Sequence, residues 1–265
     1  MTTDPLGNCT IIVTRPVAQA GSLIDMLKSL GANVIHFPVI AISAAENHQQ
    51  LLVQTKALGS YDIAIFISRN AAIFGSALIN QAGGRPLKTK IAAIGSGTAQ
   101  QLQAEGITAD IVASGAANSE SLLSAPAMSS VDGKRIIIFR GNGGREKLAD
   151  SLRKRGAIVD YLECYERKRP STDSDILTSL WDSDTIHGII LTSAEGLKNL
   201  YQMVKKEDLS RLNSTPMYVI SSTMVELCGK LGYKLTPILM PSARDVNVVQ
   251  SVLANCTAKN LITDC

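Results

Sequence analysis

The residues of this chain with chemistry to offer cluster directly after short apolar runs. They form the turns Thr14-Arg15-Pro16, Ser68-Arg69-Asn70, Gly95-Ser96-Gly97-Thr98, Arg140-Gly141-Asn142-Gly143-Gly144-Arg145, Thr192-Ser193-Ala194 and Ser221-Ser222-Thr223. Nearly all are small, hydroxylic, glycine or arginine. Such turns present backbone N–H groups at helix N-termini, which bind anions. Serine, threonine and asparagine are also the preferred helix N-caps, so capping alone accounts for any one of them. Six turns carrying four arginines favour an anionic ligand against some of them, and a carboxylate held by amides and arginine fits. A nucleotide fits less well. The pattern Gly-x-Gly-x-x-Gly would need glycine at Glu146 after Gly141, and at Gln100 after Gly95. Neither loop is followed by a Walker lysine.

Tyr165 belongs to a different kind of stretch. From Gly156 to Pro170 the chain reads Gly-Ala-Ile-Val-Asp-Tyr-Leu-Glu-Cys-Tyr-Glu-Arg-Lys-Arg-Pro. It opens as a strand after a helix-ending glycine and continues past Tyr161 as an extended polar segment. That is too long for one buried strand of about five or six residues. The chain is expected to leave one domain for another here. A phenol at such a boundary can give a proton or hydrogen bond to a leaving group; the plainer reading is a half-buried strand tyrosine. Cys164, with no histidine near it in sequence, reads as inert packing. Glu120 reads as first-turn helix charge rather than a catalytic acid.

Composition narrows the setting. At 265 residues the chain makes one large or two medium domains, and 45% hydrophobic content with only 4% aromatic predicts aliphatic cores. A net charge of +3 is too mild to argue for nucleic acid. No apolar run approaches the roughly 18 residues of a membrane helix, and the first residues lack the pattern of a signal peptide. The five cysteines are scattered without zinc spacing, and a disulfide framework is not expected at this size. His36, His48 and His187 form no ligand cluster. These features predict a reduced, cytoplasmic, soluble protein with no metal.

The elements that must hold these residues are short strands alternating with helices. Strands are expected at 10–14, 63–67, 91–94, 107–112, 135–139, 188–191, 217–220 and 235–240. Helices are expected at 19–30, 48–58, 71–81, 98–105, from 119, and at 145–155, 176–181, 195–205, 223–231 and 246–254. Residues 33–42 are extended around Pro38, which cannot donate to a ladder and so argues against a central strand there. The alternation predicts parallel sheets with helices on both faces.

The chain also repeats itself. Thr10-Ile-Ile-Val-Thr-Arg-Pro echoes Arg135-Ile-Ile-Ile-Phe-Arg-Gly, Gly31-Ala-Asn-Val echoes Gly156-Ala-Ile-Val, and the run from Tyr61 echoes that from Ile186. The offsets 135 − 10, 156 − 31 and 186 − 61 are each 125. Two similar α/β units follow. They can lie in tandem, cut near Ser130, or be exchanged, with the first two strands of each repeat completing the sheet that holds the last three of the other. The extended segments after corresponding strands favour exchange.

The ordered motifs resemble the uroporphyrinogen-III synthase family. They are Thr14-Arg15-Pro16, Phe66-Ile-Ser68-Arg-Asn70-Ala, Ala93-Ile-Gly95-x-x-Thr98-Ala, Ser119-Glu120-x-Leu, Arg140-Gly-x-Gly143-Gly-Arg145, Gly156-Ala-x-Val with Tyr165-x-Arg167, and Thr192-Ser193. The resemblance implies two flavodoxin-like parallel-sheet domains joined by a two-stranded connector, one inserted in the other. Residues 1–37 and 171–256 would form the first domain and 44–162 the inserted one. Residues 38–43 and 163–170 would be the connector strands, and 257–265 a loose tail. It implies a cofactor-independent enzyme, a cyclising lyase acting on the linear tetrapyrrole hydroxymethylbilane. Water is lost and the terminal pyrrole ring is inverted through a spiro intermediate before the macrocycle closes. Tyr165 stands where the family has its catalytic candidate. Ser68, Asn70, Thr98, Ser193 and Thr223 carry over as wall contacts, with Gly95, Thr192 and Ser221 on the same turns. Arg15, Arg140 and Arg145 are added from charge, and Arg69 stands where many members have another residue. The expected state is a cytoplasmic monomer without nucleic acid or membrane, and a transient contact with the enzyme that makes hydroxymethylbilane is left open. A non-enzymatic two-lobed binding protein for an anionic metabolite is the alternative.

Overall fold

The computed structural model describes residues 4–144 and 146–263, with 257–263 described by backbone alone. The chain divides into two compact units, one of residues 1–41 and 168–265, the other of residues 42–167. It opens with β1 (Thr10–Val13), α1 (Val17–Lys28) and β2 (Asn33–His36). The second unit takes in β3 (Ala41–Ala44), α2 (His48–Lys56), β4 (Ile63–Phe66), α3 (Arg69–Gln81), β5 (Lys90–Ala93), α4 (Ser96–Ala104), β6 (Ile111–Val112), α5 (Ser119–Leu123), β7 (Arg135–Gly141), α6 (Lys147–Lys154) and β8 (Ile158–Lys168). The first unit resumes with α7 (Asp175–Asp182), β9 (Ile186–Ile190), α8 (Ala194–Met203), α9 (Leu209–Leu212), β10 (Met217–Val219), α10 (Ser222–Lys230), β11 (Ile238–Leu239) and α11 (Asp245–Thr263).

Strand pairing decides between the two arrangements open from sequence. The first unit's sheet has the order β11-β10-β9-β1-β2, the second β3-β8-β7-β4-β5-β6. β1 pairs in parallel with β9, and β4 with β7. The first two strands of each repeat therefore sit with the last three of the other, which excludes the tandem. The central strands are apolar throughout because helices cover both faces. β4 is wholly buried, and so is β7 after its first residue. One cluster around Phe66, Ile137 and Leu162 fills one face of the second sheet, and another around Ile65, Ile138 and Val159 fills the opposite face. In the first unit, Ile11, Val13 and Ile190 pack with α1 and α11. Thr14 Oγ1 donates to the carbonyl of Ile190 at 2.6 Å and ties the exit of β1 to β9.

Several expectations are corrected. β6 and β11 are two residues each rather than six. The Asp110 carboxylate accepts the Ile91 N–H at 2.7 Å, so a side chain takes a ladder position ahead of β6. Pro237 has no N–H to give, and β11 begins after it. The closing helix runs on through Thr263, so residues 257–263, expected to be loose, are helical. Cys9 and Cys256 form a disulfide across 247 residues of sequence, against the expectation of unpaired cysteines. Their Cα atoms are 6.6 Å apart because the lead into β1 and helix α11 share one core, a proximity invisible in linear spacing. Among the described residues no helix is long and apolar enough to cross a membrane.

Phe66 and Phe139 stack at 4.4 Å between ring centroids, both fully buried across the β4–β7 pair. Phe139→Ala is expected to cost about 3–5 kcal/mol, read as a lower urea midpoint at unchanged slope.

Candidate active site

Parallel pairing puts the carboxyl ends of all the paired strands of a sheet at one edge, where open α/β sheets bind ligands. In the second unit that edge opens into a cavity of about 520 Å³. Ser68, Arg140 and Tyr165 line it, with Gly141, Gly143, Gly144, Asn118, Lys147, Tyr161 and Arg167.

Tyr165 reaches the cavity through an irregularity in β8. The register runs Arg140 to Glu163 and then Gly141 to Tyr165, so Cys164 is an extra residue on the strand. Side chains on a strand alternate between faces, and a bulge of one residue re-aims those beyond it. Leu162, Cys164 and Tyr165 thus all join the same core, while Tyr161 packs on the opposite one. The Tyr165 ring is 5% exposed and stacks on Phe74 at 5.8 Å. It also lies directly over Gly141, where an added Cβ would stand 2.6 Å from the ring. Its hydroxyl meets Ser68 Oγ at 3.2 Å. Ser68 Oγ accepts the Ala71 N–H as the N-cap of α3. Its own hydrogen is then available to the phenol oxygen, and the phenol proton to a ligand in the cavity. Cys164 beside it is buried, and burial pushes its thiol up to about 12.

Arg140, the penultimate residue of β7, is 2% exposed. Its Nη1 donates to Glu146 Oε1 at 2.9 Å and its Nη2 to the Gly143 carbonyl. Gly143 and Gly144 have φ of +64° and +112°, and an added Cβ on Gly144 would stand 2.9 Å from Nη2, so this loop can wrap the guanidinium only as glycine. The guanidinium lies 4.5 Å over the Tyr161 ring. The Tyr161 hydroxyl donates to Glu146 Oε2. Hydrogen bonds from Tyr161 and Arg140 hold the Glu146 carboxyl below its usual range. Burial, then the hydrogen bond to Glu146, pushes the Tyr161 phenol up.

The other residues singled out from sequence are spread more widely. Arg69 is exposed and lies against Gly97 in the first turn of α4, with Asn70 beside it in the first turn of α3. Gly95 caps α4 and Thr98 is buried on that helix; neither is among the cavity's lining. Arg145 falls outside the described residues. Arg15, Thr192, Ser193, Ser221 and Thr223 stand at the carboxyl edge of the first unit's sheet. Ser193 caps α8 by accepting the Gly196 N–H at 2.9 Å, and Ser221 caps α10 by accepting that of Met224. Thr223 donates to Ser221 Oγ at 3.3 Å, and Thr192 is half-buried beside Ser193. Arg15, 8% exposed, gives Nη1 to Asp245 at 2.5 Å and Nη2 to the Ala243 carbonyl at 2.6 Å. Sequence reasoning missed Tyr161, Glu146 and Asp245. The alternation Val159, Tyr161, Glu163 puts Tyr161 on the Arg140 face and was the signal available for it. Asp245 lies 230 residues from Arg15 and had none.

Two α/β units of one topology, each completed by half of the other's sequence repeat, define a discontinuous two-domain class of protein. Comparison with known proteins identifies it further. The family model for uroporphyrinogen-III synthase HemD matches residues 21–246. The uroporphyrinogen-III synthase of Escherichia coli is 31% identical over 227 residues, covering 85% of this chain and 92% of its own. A mutant uroporphyrinogen III synthase from Thermus thermophilus shares the fold at a TM-score of 0.62 and 18% identity, over 95% of this chain and 99% of its own. The uroporphyrinogen-III synthetase from Helicobacter pylori does so at 0.60 and 12%, over 93% and 99%. The chain belongs to the uroporphyrinogen-III synthase family, a family of cyclising lyases in porphyrin biosynthesis.

The Arg15–Asp245 pair yields a stability prediction. Burial raises the Asp245 carboxyl, but the hydrogen bonds from Arg15 and Ser22 and the charge of Arg15 together outweigh it, leaving it below its usual value. A carboxyl depressed in the folded state stabilises above its unfolded value near 4, and that contribution is lost as pH falls through the folded one. Asp245→Asn is expected to cost about 1–2 kcal/mol at neutral pH. The gap from the parent should close as denaturant titrations are taken below about pH 4.

Proposed function

We propose that this chain carries out the uroporphyrinogen-III synthase reaction with Tyr165 assisting departure of the terminal hydroxyl. The observation that carries this assignment is the Tyr165–Ser68 contact of 3.2 Å on the wall of a cavity that Arg140 also lines. Family membership supplies the reaction. In this reading the phenol gives its proton to the substrate's hydroxymethyl oxygen as the carbon–oxygen bond breaks, and water leaves. The Ser68 hydroxyl, already fixed by the N-terminus of α3, supports the phenolate that results. The azafulvene left behind is electrophilic. The terminal ring attacks it through its own substituted α-carbon, forming the spiro intermediate. Ring opening and reclosure at the other side invert that ring, and the proton lost on aromatisation balances the one given by Tyr165.

Most of the acceleration in this scheme is positioning. A reactive electrophile held with its partner in the same frame closes readily. The Arg140 guanidinium and the amide-rich turn around it would hold substrate carboxylates in the second unit. In the first unit Ser193, Ser221 and their neighbouring helix N-termini offer further amides, whereas Arg15 already holds Asp245 and Ala243. The remainder of the reading is a monomer acting in the cytoplasm on this small molecule, with any contact to the upstream enzyme transient; size-exclusion chromatography with light scattering checks the monomer.

The decisive assay generates hydroxymethylbilane in situ and separates isomers III and I. Isomer III is expected from the parent chain, and the spontaneous isomer I alone would refute the proposal. Tyr165→Phe keeps the buried ring and removes the proton. It should slow turnover by about tenfold to a hundredfold, at or below the low end of general acid catalysis, with the melting temperature held. Parental turnover would strip Tyr165 of its chemical role.

A further inference from the structure

The repeat places Arg15 and Arg140 at corresponding points, since 140 − 15 is again 125. Arg15 lies two residues past β1 and Arg140 is the penultimate residue of β7; both are buried, and each gives Nη2 to a backbone carbonyl and Nη1 to a carboxylate. The resemblance ends at the carboxylates. Asp245, on Arg15, is 26% exposed in its side chain and is pulled on by Ser22 as well. Glu146, on Arg140, is 50% exposed. Moreover, Arg140 Nε has no hydrogen-bond partner among the described residues, although the atom is buried. The nearest carboxylate oxygen recorded beside it is on Glu163 at 4.0 Å, beyond hydrogen-bond reach. Arg140 also lines the cavity with Tyr161, whereas Glu146 is not among the lining residues.

A buried guanidinium cannot stand without a counter-charge, because leaving it uncompensated is far costlier than pairing it. An anion site built on a buried arginine must therefore carry a carboxylate of its own while no ligand is bound. We propose that Glu146 is that resident carboxylate: it fills Arg140 in the empty cavity and gives way to a carboxylate of the incoming substrate, while Tyr161 retains it. The proposal rests on the substrate reading given above for the identity of the ligand.

The exchange is like for like. One carboxylate leaves Nη1 and another takes its place, so the buried charge stays neutralised throughout. The displaced Glu146 moves from a half-exposed position toward water, where a carboxylate is well solvated. The Tyr161 hydroxyl, bonded to the second oxygen of Glu146, keeps it close enough to return. The buried Nε, without a hydrogen-bond partner among the described residues, is a donor that Glu146 leaves unused. Glu146 is in this sense a positioning residue that sets how much of the Arg140 charge a ligand must win.

The test compares the parent chain with Glu146→Gln and with Tyr161→Phe, which loosens Glu146 without removing it. Two readouts are taken: KM and kcat for hydroxymethylbilane, and the Kd of citrate as a simple polycarboxylate probe by titration calorimetry. Glu146→Gln should lower KM and citrate Kd by about tenfold, the scale of one charge-assisted hydrogen bond freed for the ligand. The shift in KM should exceed any change in kcat. Tyr161→Phe should move both constants in the same direction by less. Unchanged or raised KM and Kd in both variants, with only a lower melting temperature, would make Glu146 a structural partner and overturn the proposal. A parent chain that makes no isomer III, while citrate still binds Glu146→Gln more tightly, would retire the substrate reading and leave the exchange standing.

Discussion

The parallel pairing of β1 with β9, and of β4 with β7, is the constraint from which the rest of the molecule follows. β1 and β9 are 176 residues apart at the paired Thr10 and Ile186. Parallel strands cannot be joined by a tight turn, and each central strand must be covered by helices on both faces. An apolar run such as Ile63-Ala-Ile-Phe66 has no stable place except between two other strands and two helical layers. Once β1 and β2 are committed to β9, the three strands that follow them in their own repeat need another pair to complete their sheet. β7 and β8 supply it. The same pairing fixes which ends of the strands share an edge, and so collects hydroxylic turns and arginines at the carboxyl edge of each sheet.

The edge of the second unit owes its chemistry to two departures from regular structure. One is the extra residue at Cys164. Without it, strict alternation would send the Tyr165 ring to the face of Tyr161. With it, the ring is buried over Gly141 and its hydroxyl arrives at Ser68. The other is the Gly143–Gly144 turn, whose left-handed backbone folds around a guanidinium that ends a buried strand. A charge at that depth is compensated by Glu146, with the Glu163 carboxylate 4.0 Å from Nε, and Tyr161 faces it with its π-cloud. The equivalent arginine of the other repeat solves the same problem with Asp245, from the last helix of its unit. The two repeats thus place a buried arginine at the same offset and compensate it with different carboxylates.

Much of this was legible in the linear chain, for definite reasons. The repeat was visible because three or four apolar runs keep one offset, and exchange was favoured because Pro38 and the overlong segment around Tyr165 interrupt ordinary strands at matching places. The serines after β4, β9 and β10 were recognised as caps or ligands, and Ser68, Ser193 and Ser221 are caps; Ser68 also touches Tyr165. The short β6 and β11 were overestimated because an apolar run says nothing about whether its N–H groups will find a ladder. Asp110 and Pro237 each settled that locally.

The amino-acid order by itself determined the alternation of strands and helices, the twofold repeat, the cap-forming turns and the presence of a phenol on an overlong strand, because each rests on periodicity or neighbouring residues. Only the tertiary structure decided the pairing of Cys9 with Cys256, the carboxylate that each buried arginine holds, and the face on which Tyr165 lies. These depend on which distant segments share a core and on a one-residue shift in register. Neither leaves a trace in spacing, because the energy that selects them comes from burial and charge neutralisation between groups that meet only after the sheets have formed.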